Sequence, residues 1–209
     1  MKRRFQLRKP TAITGIGMDL DVKGDPGSFR DMYGLGDRPY IVAVGRIDPH
    51  KGSDELFDFF VTFKERNPGP LALVVVGEPI KPLPEHPDVF VSGFVEDTVK
   101  NDAVSGCVIS VQPSYYESFS MVLTEAWAQY KPALANGHCD VLHGQIMRSG
   151  GGLSYRGYAE FEAALQMLLE DEALRDRLAA DGHAYVERRY EWNVVMDRYE
   201  RLLETTPVL

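Results

Sequence analysis

The stretch Ile41-Val-Ala-Val-Gly-Arg46 joins a continuous apolar run to a glycine and then to a cation. A run without polar alternation is typical of a strand that is buried on both faces of a parallel sheet. Leu71–Val76 has the same character, and shorter runs follow at 89–91, 108–111 and 133–135. The sequence therefore predicts several buried strands in one parallel sheet.

Helical patterns separate and follow these runs. In residues 53–65, four large apolar side chains recur at a spacing of three and four, which predicts one buried stripe. Residues 119–130 are apolar nearly all round, which predicts a central helix. No further strand is expected after Gly152, and the other helices are predicted at 96–105, 158–169, 171–189 and about 191–204. Strands that alternate with helices predict a doubly wound α/β fold, in which ligands bind outside the carboxyl ends of the strands.

Bulk composition narrows the class of protein. The chain has 209 residues, of which 44% are hydrophobic and 26% charged, as in ordinary globular proteins. Its formal net charge of −8 argues against nucleic acid as a partner, because duplex binding needs a basic surface. The only cysteines are Cys107 and Cys139, which favours a reducing cytoplasm over a disulfide-stabilised secreted fold.

The N-terminal part of the chain reads differently from the rest. Residues 1–39 are expected to be irregular, apart from a short helical stretch at Phe29–Tyr33. Within them, residues 1–15 are expected to be a linker or the start of an excised segment, so that 16–209 form one domain. The basic segment Met1–Pro10 lacks a following apolar segment, so it is not a secretory signal. The alternative to a linker is a basic segment that brings the full protein into peripheral contact with an acidic membrane surface.

The strongest functional signal is Ser114-Tyr-Tyr-Glu-Ser-Phe-Ser-Met-Val-Leu-Thr-Glu125. Glu117 lies in a loop that opens a predicted helix, and Glu125 lies inside that helix. An open helix N-terminus offers unpaired N–H groups and a positive dipole end to a phosphate. Carboxylates on either side could hold the hydroxyls of a sugar and of a ribose, so the pattern suggests a nucleotide-sugar site.

Simpler interpretations exist for each of these side chains. The helix dipole alone favours a glutamate such as Glu117, and glutamates inside helices are usually solvated. The apolar surroundings of Glu125, however, favour a polar cleft with a partner. Capping the helix would be the default role of Ser118 and Ser120.

The loop after the first predicted strand carries Arg46 and Lys51. A guanidinium fork and an ammonium point charge together suit a diphosphate. Taken alone, a solvated loop with two surface cations is the better interpretation.

Two further segments contain residue types that occur in binding sites. The cluster in Asn136–His143 contains two histidines, a cysteine and an aspartate, but its spacing matches no standard zinc pattern, so no metal is expected and the loop is predicted to shape a cleft edge. Ser149-Gly-Gly-Gly152 precedes no Walker lysine and is predicted to be a flexible turn.

In order and spacing, the motifs resemble the C-terminal half of the group 1 (family 4) retaining glycosyltransferases. That family has the GT-B architecture, in which two Rossmann-like domains face a cleft. The resemblance runs from about Ile16 to Leu203. The motifs that carry it are Val-Gly-Arg46 with Lys51-Gly, Val-Val-Val-Gly77, Gly93-Phe94-Val95, and Pro113-Ser114 with Glu117-x7-Glu125.

The resemblance implies a role for each residue of the pattern. Arg46 and Lys51 would hold the donor diphosphate, and Glu117 would bind the donor sugar near the reacting carbon; these three form the implied catalytic set. The ribose hydroxyls would be held by Glu125. The rest of the implied donor site is Gly45, Phe94 and Val95, together with Ser118, Phe119, Ser120 and Met121. The family needs no metal, so no cofactor is implied beyond the nucleotide sugar itself.

The chain departs from the family pattern in two places and in length. The usual Glu-Gly-Phe-Gly is Glu117-Ser-Phe-Ser120 here, and the usual glycine before Lys131-Pro132 is Tyr130, which leaves the donor sugar open. A GT-B enzyme also needs an N-terminal domain with the acceptor site, which nothing in these residues supplies.

The resemblance therefore implies a donor-binding domain that is inactive alone and belongs to a hexosyltransferase. Alternatives are a non-catalytic GT-B-like binding domain and another GT-B enzyme such as a sugar-nucleotide epimerase.

Overall fold

A computed structural model of the protein describes residues 11–80 and 85–205. The basic segment Met1–Pro10, most of the predicted linker, lies outside these residues. The described strands form one six-stranded sheet in the order β3-β2-β1-β4-β5-β6, and all its pairs are parallel. The strands are β1 (Tyr40–Val44), β2 (Ala72–Val76), β3 (Val89–Val91), β4 (Ile109–Gln112), β5 (Ala133–Asn136) and β6 (Gly152–Tyr155).

Helices connect the strands and cover both faces of the sheet, which confirms the doubly wound α/β prediction. They are α1 (Pro26–Tyr33), α2 (Ser53–Arg66), α3 (Asp97–Gly106), α4 (Met121–Ala128), α5 (Asp140–Ser149), α6 (Tyr158–Glu170), α7 (Glu172–Tyr190) and α8 (Trp192–Glu204). None of the described helices is both long and apolar enough to cross a bilayer.

The sheet separates two apolar layers. On one face, Phe60 of α2 and Leu165 of α6 pack with β-strand residues such as Val111. On the other face, α1 and α3 cover β1 and β2, while α4, α5 and α7 cover β5. Burial on both faces explains why the strand sequences are continuously apolar rather than alternating.

Trp127 confirms the predicted central position of α4. Its side chain is fully buried, and its indole N–H donates to the Gly151 carbonyl at 2.7 Å. A Cβ added to Gly151 or Gly182 would lie 2.5 or 2.3 Å from indole atoms. The absence of a side chain at these two positions therefore lets α7 and the start of β6 approach the indole.

The predictions for residues 136–155 were wrong. A helix, α5, occupies 140–149 where a loop was expected, and β6 follows where no further strand was expected. The glycine-rich stretch is not a free turn, because Gly150 ends α5 in the left-handed region and Gly152 begins the strand. A Cβ on Gly152 would lie 2.1 Å from the Ala133 carbonyl oxygen, so the strand pairing needs glycine there.

Helix α4 is shorter than the predicted range of 119–130. Ser120 precedes it with φ 67°, and Tyr130 follows its end with φ 55°. Both residues therefore occupy the left-handed region, which an α-helix cannot include.

Candidate functional site

The carboxyl ends of β1 and β4 mark the point where the strand order reverses. In doubly wound folds, ligands bind in the crevice at such a point. A cleft opens there, between the loops that follow the two strands and the start of α4. The predicted site residues that line this cleft are Gly45, Arg46, Lys51, Glu117, Ser120 and Met121.

The loop after β1 is held by Asp48, which the sequence interpretation missed. Its buried carboxylate accepts the backbone N–H of His50 at 2.9 Å and pairs with Arg46 at 2.9 Å. The His50 N–H and the nearby Arg46 charge hold the pKa of this carboxyl below its usual value, despite burial. Asp48 thereby gives Arg46 a charged partner at the cleft, although the Arg46 side chain is 63% exposed.

Gly52 brings the same loop against the loop after β4. A Cβ at this position would lie 2.2 Å from the Pro113 carbonyl oxygen. The close approach lets Lys51 Nζ reach Glu117 Oε1 at 2.8 Å. The structure therefore joins two of the three implied catalytic residues across the switch point, although they are far apart in sequence.

The Lys51–Glu117 pair is accessible rather than sealed. The Lys51 side chain is 39% exposed and the Glu117 side chain 16%. An ammonium in this position can donate to an anionic ligand, and a carboxylate with a second oxygen can accept from hydroxyls.

The first turn of α4 is open to the cleft. Ser120 occupies the N-cap position, but its side chain accepts no N–H from that turn, and no acidic residue lies there. The capping role expected for Ser120 is therefore wrong, because its left-handed backbone is not the extended conformation that a capping serine adopts. Uncapped N–H groups at a helix start are suited to a phosphate.

Phe119 and Ser118 do not line the cleft. The Phe119 ring packs edge-on against Tyr190, with centroids 5.0 Å apart, and its carbonyl accepts from the Gln145 amide. Phe119 thus anchors the loop to the protein, while Ser118 is exposed.

Glu125 has the partner that its apolar surroundings predicted. Its carboxylate lies 3.3 Å from Lys100 Nζ, and the same ammonium lies 3.0 Å from Asp97. Burial disfavours the Lys100 charge, but the two carboxylates outweigh it and raise the lysine pKa. Lys100 was not predicted, because a lysine three positions after an aspartate looks like an ordinary helix-surface pair.

Two neighbouring clefts continue the site. One lies between the ends of β1 and β2 and includes Gly45, Phe94 and Val95, and the other includes Met121 and Glu125. Phe94 is 78% exposed, and its backbone N–H donates to the Glu78 carboxylate at 3.3 Å. Val95 packs partly against the core. An exposed ring beside a cleft can stack on a planar ligand.

The two histidines in residues 136–143 make separate contacts with other residues. His138 stacks on Tyr115, and His143 Nδ1 lies 3.1 Å from the Ser154 hydroxyl. Cys139 is buried. Across residues 11–80 and 85–205, no group of three or more His, Cys, Asp or Glu side chains is arranged to hold a metal ion.

Comparison with known proteins identifies relatives of this chain. The family model for glycosyl transferases group 1 matches residues 29–184. A phosphatidyl-myo-inositol mannosyltransferase of Mycobacterium tuberculosis (strain ATCC 25618 / H37Rv) is 30% identical, over 98% of this chain and 57% of the relative. An alpha-D-kanosaminyltransferase of Streptomyces kanamyceticus is 24% identical, over 86% of this chain and 49% of the relative. The chain thus spans about half the length of these curated relatives.

Solved structures show the same fold at low sequence identity. Anabaena HepE in complex with UDP and glucose has a TM-score of 0.77 at 17% identity, over 90% of this chain and 55% of that one. The C-terminal domain of the group 1 protein LpcC from Francisella tularensis has a TM-score of 0.66 at 19% identity, over 84% of this chain and all of that one. Since the family model covers most of its residues, the chain belongs to the group 1 glycosyltransferases and has the fold of the C-terminal half of the GT-B architecture.

Proposed function

We propose that this chain binds the nucleotide diphosphate sugar donor of a retaining hexosyltransferase. One observation carries the proposal: Lys51 and Glu117 meet at 2.8 Å across the switch point, beside the uncapped first turn of α4. A cation, a carboxylate and free N–H groups within one cleft match the charges and hydroxyls of a sugar diphosphate.

In this proposal the diphosphate lies against Arg46, Lys51 and the first N–H groups of α4. Glu117 accepts from hydroxyls of the sugar. The positive groups stabilise the charge that develops on the departing diphosphate, so catalysis comes mainly from positioning and electrostatics. No residue in the cleft requires a covalent intermediate.

The nucleoside extends from the diphosphate into the neighbouring clefts. Glu125 holds the ribose hydroxyls and Phe94 lies beside the base. The complex of HepE with UDP and glucose, which shares this fold, supports a nucleotide sugar as the ligand class.

We place the acceptor site on a further domain of the intact enzyme, because the relatives are about twice as long as this chain. A cytoplasmic location agrees with the two buried, unpaired cysteines.

Calorimetric titration of the folded chain with UDP, GDP and ADP tests the proposal. Saturable binding of at least one diphosphate is the expected result. A folded sample that binds none of the three would contradict it.

A further inference from the structure

Gln112, the last residue of β4, carries a buried hydrogen-bond donor without a partner. Its side chain is 3% exposed, and its Nε2 makes no hydrogen bond to any of the residues that the structure describes. A buried amide N–H that pairs with nothing destabilises a protein, so such groups are uncommon and are often explained by a ligand or by catalysis.

The side chain lies on the same side of the sheet as α4. Successive side chains of a strand point to opposite faces. Val111 belongs to the apolar layer of α2 and α6, so Gln112 faces the opposite layer, where α4 lies. Gln112 also lines the cleft that contains Lys51 and Met121. Gln112, which carries the unpaired amide, therefore lines the cleft at the open start of α4.

Gln112 lines the cleft at one end of the proposed site and does not line the neighbouring clefts. The cleft that it lines contains Glu117, but the neighbouring clefts that contain Phe94 and Glu125 do not include Gln112. Since the nucleoside is assigned to those neighbouring clefts, Gln112 lies beside the part of the ligand that is distal to the nucleoside.

We infer that the Gln112 amide donates a hydrogen bond to the distal phosphate of the nucleotide sugar, which makes Gln112 a further residue of the nucleotide-sugar site. The inference rests on the proposed function of that site. A neutral amide adds a directed donor to the helix N–H groups and to Lys51 without adding charge. The bound phosphate then supplies the acceptor that the protein itself does not.

The substitution Gln112→Met tests this, because it keeps an unbranched side chain of similar size and removes the donor. Affinity for UDP, GDP and ADP is measured by calorimetry, together with affinity for UMP, GMP and AMP. The expected result is a loss of about tenfold or more for whichever diphosphate binds the wild type, the usual effect of a lost hydrogen bond to a charged group. Affinity for the matching monophosphate should change by less than about twofold, since the distal phosphate is missing.

Thermal unfolding separates this role from a structural one. Removing an unpaired buried donor should leave the melting temperature unchanged or raise it, whereas loss of a structural contact would lower it. Ser110→Ala is a matched control: Ser110 lies on the same face of β4, is fully buried, and its hydroxyl also has no partner among the described residues. Ser110 does not line the cleft, so the control should retain diphosphate affinity.

Three outcomes would overturn the inference: equal diphosphate affinity in Gln112→Met and wild type, an equal loss for mono- and diphosphates, or the same loss in Ser110→Ala. If the methionine variant does not fold, Gln112→Glu decides, because it keeps the size and should repel the phosphate. If the wild-type chain binds no nucleotide, that result would instead contradict the proposed nucleotide-sugar site itself.

Discussion

Ser120 and Tyr130 are the two non-glycine residues with positive φ in the described part of the chain, at 67° and 55°. Both stand where the family pattern has glycine. The left-handed region costs an L-residue about 1–2 kcal/mol. Tyr130 stacks on His183 with ring centroids 3.8 Å apart, which offsets part of this cost. Ser120 and Tyr130 thus keep the left-handed backbone that a glycine would adopt at the two ends of α4.

Ser120→Gly is expected to stabilise the protein by about 0.5 kcal/mol. Glycine relieves the left-handed strain, and the greater freedom of the unfolded chain cancels part of that gain. The free energy of unfolding in urea measures the effect. Ser118→Gly is the control: its φ is not positive, so the substitution should lower stability. A destabilised Ser120→Gly would mean that the serine side chain contributes more than its backbone costs.

Arg46→Ala and Lys51→Ala are each expected to weaken diphosphate binding by about 1.5–3 kcal/mol, the contribution of a hydrogen bond to a charged group. Calorimetry with the best-binding diphosphate measures the change. Arg66→Ala is a matched control, because Arg66 is 61% exposed and also pairs with a carboxylate, but it lies at the end of α2. Unchanged affinity in both cleft variants would place the diphosphate elsewhere.

Site residues could be predicted from the sequence where a charged side chain stands next to a recognisable strand end or helix start. Arg46, Lys51 and Glu117 were found because cations and carboxylates stand out beside strand ends and helix starts. Asp48 and Gln112 were missed for a physical reason. An aspartate before proline looks like a turn residue, and a glutamine that ends a strand looks solvated, so only tertiary packing shows that both are buried.

Among the elements, the long periodic ones were predicted well. The strands β1 to β5 and the helices α2, α3, α6, α7 and α8 were located to within a few residues. The strands stood out as continuous apolar runs, and α2 stood out by its apolar stripe. β6 was missed since Gly152-Leu-Ser-Tyr155 is a short edge strand with little apolar pattern. α5 was missed since it contains Gly144 and begins without a capping hydrogen bond.

Helix α2 and strand β3 are joined by a charged contact outside the site. Asp88, just before β3, pairs with Arg38 and with Lys64 of α2, the latter at 3.0 Å. Burial raises the pKa of the Asp88 carboxyl, but the hydrogen bonds from Lys64 and Arg38 outweigh it, so the pKa lies below its usual value. This contact should therefore make the free energy of unfolding decrease as the pH falls into the acid range.

Asp88→Asn is expected to lower the free energy of unfolding at pH 7 by about 1–2 kcal/mol, since it weakens charged hydrogen bonds and leaves Lys64 buried. The folded pKa lies below the unfolded value, so the carboxylate stabilises above the unfolded pKa and its contribution disappears as pH falls. Urea unfolding between pH 7 and pH 3 should thus show a shallower decline in the variant. Parallel pH profiles would contradict the assigned contact.

For the whole molecule, the fold groups the proposed donor-binding groups at one edge of one sheet. The curated relatives are about twice as long as this chain, and a solved C-terminal domain of a group 1 protein shares its fold. The isolated 209-residue chain is therefore expected to bind a nucleotide diphosphate without transferring sugar. Incubation with nucleotide sugars and hydroxyl acceptors, followed by detection of the released diphosphate, measures this. Sustained acceptor-dependent turnover by the purified chain would refute it.

The central claim is that the donor diphosphate binds where β1 and β4 end. A ¹H–¹⁵N NMR titration of the chain with the best-binding of UDP, GDP and ADP tests it most directly. The largest shifts are expected at the backbone amides of Gly45, Lys51 and Met121, and the smallest at Asn67 and Gly69, which precede β2 at the opposite edge. Shifts centred on that opposite edge, with Gly45 and Met121 unchanged, would contradict the claim.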